Sequence, residues 1–330
     1  MENNSVNIIE RNKDEKEENE VRVNERWKEV VQTRLEQITL YNNFPINATN
    51  SFLRQDMNFD RSNVVNNIRR FGVAITYKGG FEALIEGLSY FVMAKVGMNM
   101  LTRFDYIWKN KDGLEIGGPS QIFEYKGLLP VYDSARSIIF VDYSNITLWK
   151  DTRDSILKKV QNKLNCRFII SDATEMEGIT ENSLDFLLAS HVLEHLANPL
   201  KAINQWRRML KNGGFMIIIV PDKRFTFDHK RNVTTISHIL QDYKNNVNEN
   251  DTTHLNEIIS LHDQKMDNNG EDRTHFVNRI LNNNENRTAH HHVFVPENLR
   301  QLMEESRMKV LYVKNLLPFH IVAICKKEME

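Results

Sequence analysis

The chain has 330 residues, of which 41% are hydrophobic and 26% are charged, and its formal net charge is -1. A charge this close to zero gives no overall attraction to nucleic acid or to an anionic membrane, so we expect neither as a partner. The two cysteines offer no disulfide framework, and no apolar run is long enough to cross a bilayer. We therefore expect a soluble cytoplasmic protein without a membrane span; the sequence leaves its oligomeric state open.

The first hundred residues divide into two segments of different character. Residues 1–20 are densely charged and have little apolar surface to bury, so we expect a disordered acidic tail. Between residues 21 and 100, apolar side chains recur at spacings of three and four, as at Trp27, Val30 and Val31. This spacing predicts a helical amino-terminal cap.

From Asp112 onward, short apolar runs alternate with stretches of helical pattern. Runs without polar alternation indicate strands that are buried on both faces, as in a parallel sheet covered by helices. The alternation predicts an α/β, doubly wound, Rossmann-like sheet of seven mostly parallel strands. The first five predicted strands are 114–116, 137–141, 167–170, 184–189 and 215–220.

The last part of the predicted domain, which spans residues 101–326, contains a long polar segment. This insertion covers about residues 223–292 and is rich in Asn. A helix at 296–306 follows it, and then two strands at 309–313 and 319–325. Because a short link joins these strands, we expect an antiparallel hairpin at one edge of the sheet.

Polar and glycine residues follow the predicted strands where ligands bind in such sheets, beyond the carboxyl ends. Gly117 and Gly118 after the first strand allow a tight turn and a close approach to the backbone. Asp142 after the second strand can accept hydrogen bonds from both hydroxyls of a ribose, although a helix cap explains it equally well. Asp172 after the third strand is well placed for an adenine amino group. The pattern describes an adenosine site.

The block 113–120, followed by 129–132 (LPVY), resembles a type 11-like, bacterial-type subgroup of methyltransferases of uncertain substrate. Five segments in chain order resemble the successive motifs of class I methyltransferases. They are 114–118 (LEIGG), 170–173 (ISDA), 184–186 (LDF), 191–196 (HVLEHL) and 210–214 (LKNGG). Residues 292–299 (HVFVPENL) also resemble the segment that leads into a late helix of that family. The resemblance implies that the cofactor is S-adenosyl-L-methionine.

The resemblance also implies roles for individual residues around that cofactor. The implied cofactor-binding set is Glu115, which supports the glycine loop, Gly117 and Gly118 near the methionine part, Asp142 at the ribose, Asp172 and the Ala173 amide at the adenine, and His191 lining the pocket. The chain departs from the family pattern at Pro119 and Gln121, which stand where the second and third glycines belong. The loop must therefore follow a different path.

Two groups of histidines invite a metal-site interpretation. His191 and His195 are four residues apart, which would place both on one helical face, and residues 290–292 are three histidines in a row. No cysteine is nearby, and the resembling family carries such a His-x-x-Glu-His segment without a metal. We therefore expect no metal site, and we expect Glu194 and His195 to face the substrate.

The segment 222–229 opens the insertion and, in this fold, borders the acceptor pocket. Its charge beside aromatic rings suits a polar acceptor, and Asp222, Arg224 and Glu194 are the candidate substrate-binding residues. A solvated loop with two aromatic anchors is the alternative. The candidate catalytic bases are His191, His195 and His229.

The predicted activity is transfer of a methyl group from S-adenosylmethionine to an oxygen of a small molecule or glycan. One alternative is a non-catalytic binding or scaffold protein on a decayed methyltransferase fold, which Pro119 and Gln121 favour. Another alternative is methylation of a protein or RNA.

Overall fold

A computed structural model describes residues 101–125, 127–267, 271–316 and 319–328. The expected acidic tail (1–20) and helical cap (21–100) lie outside the described residues. Seven strands form one sheet within this part of the chain. They are β1 (Asp112–Ile116), β2 (Ser137–Asp142), β3 (Asn165–Ile170), β4 (Leu184–Ser190), β5 (Leu210–Pro221), β6 (Met308–Leu316) and β7 (His320–Lys327).

The strands lie in the order β3-β2-β1-β4-β5-β7-β6. Neighbouring strands among β1 to β5 pair in parallel, whereas β7 runs antiparallel to both β5 and β6. This arrangement confirms the predicted Rossmann-like sheet with an antiparallel hairpin at its edge. The two cysteines lie in β3 and β7 as unpaired thiols.

Seven α-helices are present among the described residues. They are α1 (Lys150–Val160), α2 (Pro199–Met209), α3 (Ile236–Lys244), α4 (Leu255–Leu261), α5 (Arg273–Leu281), α6 (Asn283–Asn286) and α7 (Pro296–Glu305). Helices α3 to α6 belong to the predicted insertion between β5 and the closing elements. No helix within the described ranges combines the length and apolar character that a membrane crossing requires.

The central strand β5 shows why these residues form a buried sheet. Its run 215–220 is almost fully buried, and successive side chains point to opposite faces. Met216, Ile218 and Val220 pack into one hydrophobic cluster, whereas Phe215, Ile217 and Ile219 pack into the other. The apolar run without alternation thus reflects a sheet with a hydrophobic core on each face.

Helix α2 covers one face of the sheet and begins with two sequence-encoded signals. Pro199 occupies the first turn, and the Asn198 side chain accepts a hydrogen bond from the Lys201 amide over 3.0 Å. The helix buries Ile203 and Trp206 completely. It ends at Met209, because Leu210 already pairs with Leu184 of β4.

The insertion contains more regular structure than its polar composition predicts. Helix α5 and the short helix α6 occupy part of the Asn-rich tract, and α5 is capped by the Asp272 side chain, which accepts from the His275 amide. Phe276 and Ile280 of α5 pack with Leu255 and Ile258 of α4 in a third, smaller hydrophobic cluster. A few well-spaced apolar residues are enough to hold these helices together.

Candidate active site

The candidate site lies at the carboxyl edge of the parallel strands, where the strand order reverses. Strand β1 pairs with β2 on one side and with β4 on the other. The chain leaves β1 toward β2 and β3 and later returns to β4, so the crevice between β1 and β4 is a topological switch point. The loops after β1, β2, β3 and β4 therefore meet at one edge, as predicted.

The loop after β1 is organised by the fully buried carboxylate of Glu115. The Ser120 hydroxyl donates to Glu115 Oε1 over 2.6 Å, and the Tyr132 hydroxyl donates to Oε2 over 2.5 Å. Tyr132 also accepts from the Ser120 amide over 2.8 Å. Burial raises the pKa of Glu115 to about 8, against the lowering effect of both hydroxyl donors.

The two glycines of this loop meet specific steric demands. Gly117 has a positive φ of 73°, and a side chain there would lie 2.4 Å from Cγ2 of Val192 in the loop after β4. A Cβ on Gly118 would lie 2.3 Å from Cδ of Glu115. After these two glycines the chain enters a short 3-10 helix at Gln121–Phe123. It does so without the second and third glycines of the family pattern.

Asp142, at the end of β2, is held in a buried ion pair. Its Oδ2 lies 2.8 Å from Nη1 of Arg153 in α1, and its Oδ1 accepts from the Tyr143 amide over 2.8 Å. The Arg153 guanidinium also donates to the carbonyls of Ser144 and Asn145. Burial raises the pKa of Asp142 although Arg153 opposes the shift. Asp142 therefore shapes the β2–α1 loop, whatever else it binds.

Asp172, which follows β3, contacts both its own loop and the insertion. Its Oδ1 accepts from the amide and hydroxyl of Thr174, at 2.8 and 2.7 Å. Its Oδ2 lies 2.7 Å from Nη1 of Arg287. The Arg287 guanidinium also stacks over the Tyr143 ring at 4.6 Å from its centroid. The insertion thus reaches over the loops after β2 and β3.

The turn that carries Asp172 is anchored to the core through its next residue. The Ala173 carbonyl accepts a hydrogen bond from the indole N–H of Trp206 over 2.8 Å. Trp206 is fully buried in α2, so this bond fixes the turn against the face of the sheet.

The segment after β4 does not have the helical geometry that the His-x-x-x-His spacing predicts. His191 has a positive φ of 54°, and only Leu193–His195 form a short 3-10 helix. The expectation that His191 and His195 share one helical face is therefore wrong. Nε2 of His191 instead lies 2.9 Å from Nδ1 of His320 in β7, and its Nδ1 lies 3.4 Å from Glu194 Oε1.

Glu194 and two histidines form a polar cluster in this crevice. One ligand atom of each of Glu194, His195 and His290 lies within 4.8 Å of the others. The rings of His195 and His290 meet edge to face at 4.6 Å, and Trp149 also contacts His195 edge to face at 5.5 Å. Glu194 is 1% exposed, and neither of its oxygens has a hydrogen-bond partner among the described residues.

His290 is oriented by a carboxylate that the sequence did not single out. Its Nδ1 lies 2.6 Å from Oδ2 of Asp228, and Asp228 is itself paired with the buried Arg231 at 3.1 Å. Arg231 also donates to the His290 carbonyl over 2.7 Å. Asp228 stands in the charged segment 222–229, and His290 stands in the histidine run. Because 62 residues separate them, the sequence does not show that they pair.

The remaining predicted site residues lie in the insertion and its entrance. Asp222 is fully buried and accepts from the Arg224 amide and guanidinium, and from the Asn315 amide group. His229 Nε2 lies 2.9 Å from Asp263 Oδ2. Thus Asp222 and Arg224 bind each other, and His229 faces a carboxylate of the insertion.

Three comparisons with known proteins bear on this geometry. A family profile described as a methyltransferase domain matches residues 129–218. An uncharacterized protein of Methanocaldococcus jannaschii is 38% identical over 77 residues, which are 23% of this chain and 32% of that protein. The chain therefore matches about a third of the length of this curated relative.

Solved structures with a similar fold include methyltransferases of low sequence identity. A SAM-dependent methyltransferase from Aquifex aeolicus is 11% identical, with a TM-score of 0.40 and coverage of 70% of this chain and 89% of that one. One from Methanosarcina mazei is 16% identical, with a TM-score of 0.41 and coverage of 69% and 98%. At these scores the likeness does not establish a common activity.

The matched region, 129–218, spans the elements from the loop after β1 to the middle of β5. It contains the Asp142 and Asp172 loops and the segment after β4, but it begins after β1 and the Gly117–Gly118 turn. Residues 129–218 thus match a methyltransferase domain, and the motifs around this crevice resemble those of class I S-adenosylmethionine-dependent methyltransferases.

Proposed function

We propose that the chain transfers a methyl group from S-adenosylmethionine, the cofactor of the family that it resembles, to an oxygen of a small molecule or glycan. S-adenosylmethionine supplies a methyl group that its sulfonium charge already activates. The protein then has to bind the two reactants, orient the acceptor and accept the proton of its hydroxyl group.

The carboxylates at the carboxyl edge of the sheet fit an adenosine-containing cofactor. Asp142 and Asp172 follow adjacent strands and present carboxylate oxygens, which accept hydrogen bonds from ribose hydroxyls and from an adenine amino group. In this proposal Asp142 would hold the ribose, and Asp172 with the Ala173 amide would bind the adenine. The Gly117–Gly118 turn and His191 would border the methionine part.

The buried Glu194 carboxylate is the observation that carries the proposal for the acceptor. Among the described side chains, its nearest possible donor is His191, whose Nδ1 lies 3.4 Å from Oε1. A buried carboxylate with incomplete hydrogen bonding costs free energy, on the order of 1–3 kcal/mol, and a ligand can supply the missing donors. Glu194 lies beside His195 and His290 at the switch point of the sheet. A hydroxyl group of the acceptor would donate to it.

We assign the role of base to His290, and the role of positioning residue to Asp228. A carboxylate can only accept, so Asp228 fixes the proton on Nδ1 of His290 and leaves Nε2 as the acceptor nitrogen. His191 and His195 remain candidates, since both border Glu194. His229 is a weaker candidate because its Nε2 already faces Asp263.

A transfer assay with methyl-labelled S-adenosylmethionine tests this proposal. The purified full chain is incubated separately with hydroxyl-bearing metabolites, with glycans, with protein and with RNA. We expect label only in the first two pools, as a methyl ether or ester identified by mass spectrometry. Label in protein or RNA would contradict the proposed acceptor class and leave the enzyme class intact.

One observation favours the second candidate, a non-catalytic binding protein. Arg287 pairs with the carboxylate that the adenine amino group would use, at 2.7 Å. If Arg287 kept this contact in the presence of S-adenosylmethionine, the adenine amino group would lose its acceptor on Asp172. The chain would then bind no cofactor. Calorimetric titration with S-adenosylhomocysteine separates the two candidates, because only the enzyme binds it.

A further inference from the structure

Four side chains of the insertion and of the segment before α7 converge on one point. His238 and Asp242 are four residues apart on α3, His254 precedes α4, and His292 precedes α7. We propose that these four residues form a structural zinc site. The site does not rest on the proposed methyl transfer.

Three distances between the converging atoms are close to those of a tetrahedral metal site. Nε2 of His238 lies 3.0 Å from Nε2 of His254 and 3.3 Å from Oδ2 of Asp242. Nε2 of His292 lies 3.8 Å from the same oxygen. Zinc bonds of about 2.0–2.1 Å place neighbouring tetrahedral ligands about 3.3 Å apart. One ligand atom of each residue lies within 4.8 Å of the other three.

Protein hydrogen bonds do not account for this arrangement. Nε2 of His238 carries at most one proton, so it cannot make full hydrogen bonds to both His254 Nε2 and Asp242 Oδ2. Among the described residues, the buried Oδ2 of Asp242, which lies between His238 and His292, has no hydrogen-bond partner. A cation among the rings would engage the lone pairs of all three and balance the carboxylate charge.

The donor set selects the kind of metal. Calcium and magnesium prefer oxygen ligands throughout, whereas three imidazoles and one carboxylate suit zinc. A catalytic zinc ion keeps a position open for water, but here four protein ligands complete the tetrahedron. Nε2 of His292 lies 3.3 Å from the Ala197 carbonyl, and a proton shared in that contact would leave when Nε2 binds the ion. The ion would then hold α3 and the start of α4 beside the loop after β4.

The proposed zinc site departs from our expectation of no metal site. That expectation was based on His191 with His195 and on the histidine run 290–292. The sequence shows only the His-x-x-x-Asp pair of α3, because the other two ligands follow 12 and 50 residues after Asp242. Glu194, His195 and His290 are a second cluster with metal-ligand spacing. There Nδ1 of His290 is taken by Asp228, and we assign that cluster to the acceptor.

The test measures zinc in the full chain, purified without a polyhistidine tag. Metal-stripped protein is titrated with zinc against a chromophoric chelator, and its Tm is recorded with and without zinc. His238→Ala and Asp242→Asn are the test variants. His275→Ala is the matched control, since His275 is an exposed histidine of the same insertion that contacts Asp272. Glu194→Gln reports on the second cluster.

We expect wild type and His275→Ala to bind one zinc ion and to gain Tm on its addition. His238→Ala and Asp242→Asn should lose at least about tenfold in zinc affinity, the minimum effect of disturbing a metal site, together with the zinc-dependent gain in Tm. Far-ultraviolet circular dichroism of the variants checks their fold. Absence of zinc binding by wild type would overturn the proposal, as would full affinity in both test variants. If Glu194→Gln loses zinc while His238→Ala retains it, the ion binds at the cluster of Glu194, His195 and His290. That result would also overturn the proposal.

Discussion

The Asp228 carboxylate accepts a hydrogen bond from Nδ1 of His290 over 2.6 Å, and this contact joins the opening of the insertion to its end. Arg231 braces the pair from the buried side. The contact orients His290 toward Glu194 and His195, which follow β4. The insertion thus supplies part of the crevice that the parallel sheet forms.

Replacement of His290 by Gln should lower kcat on a reacting acceptor by about 10²–10⁴-fold, the usual size of a general-base effect. Asp228→Asn should lower kcat with KM nearly unchanged, because Asp228 acts through the orientation of His290. Release of S-adenosylhomocysteine measures both. His275→Ala serves as the control. A rise in KM with unchanged kcat in both variants would assign the pair to acceptor binding, and an unchanged kcat in His290→Gln would return the role of base to His191 or His195.

Replacement of Arg287 by Ala should tighten binding of S-adenosylhomocysteine by about fivefold. Arg287 occupies Oδ2 of Asp172, and a partly exposed ion pair contributes about 1 kcal/mol, which corresponds to this factor in Kd. Calorimetry measures the change. In an Asp172→Asn background the same replacement should bring no gain. Weaker binding in Arg287→Ala would instead make the guanidinium part of the adenine pocket.

The buried Glu115 predicts a pH dependence of stability. Its pKa is raised to about 8, so folding favours the protonated form, and this contribution is complete below the unfolded pKa of about 4.5 and is lost as the pH rises through about 8. Glu115→Gln does not titrate. We expect the Tm of wild type to fall relative to that of the variant by about 3 °C or more between pH 5 and pH 8, since each kcal/mol shifts Tm by about 2–4 °C in a domain of this size. A constant difference across this range would show that Glu115 is ionised in the folded protein.

The sheet was predictable from the sequence because its signal is local. The uniform apolar run at 215–220 reflects burial on both faces, and an Asp after each of β2 and β3 marks the carboxyl edge. The site was predictable only in part. Glu115, Asp142 and Asp172 lie at the predicted edge, but their partners Tyr132, Arg153 and Arg287 depend on side-chain packing that no spacing encodes.

The errors have a common physical origin in contacts between distant segments. The His191–His195 spacing favours a helix, yet His191 adopts a left-handed conformation and faces His320. The polar composition of the insertion concealed helix α5, which Phe276 and Ile280 hold against α4. Tertiary packing overrides a local pattern in both places.

Binding of S-adenosylhomocysteine to the full chain, measured by calorimetry, tests the central claim most directly. The account predicts one site, with Kd raised at least about tenfold in Asp172→Asn, because a hydrogen bond to a charged group contributes about 1.5–3 kcal/mol. Asp151→Asn, which changes an exposed carboxylate of α1, should bind like wild type. No binding heat from wild type at millimolar ligand would contradict the account, and so would equal affinity in the wild type and the Asp172→Asn variant.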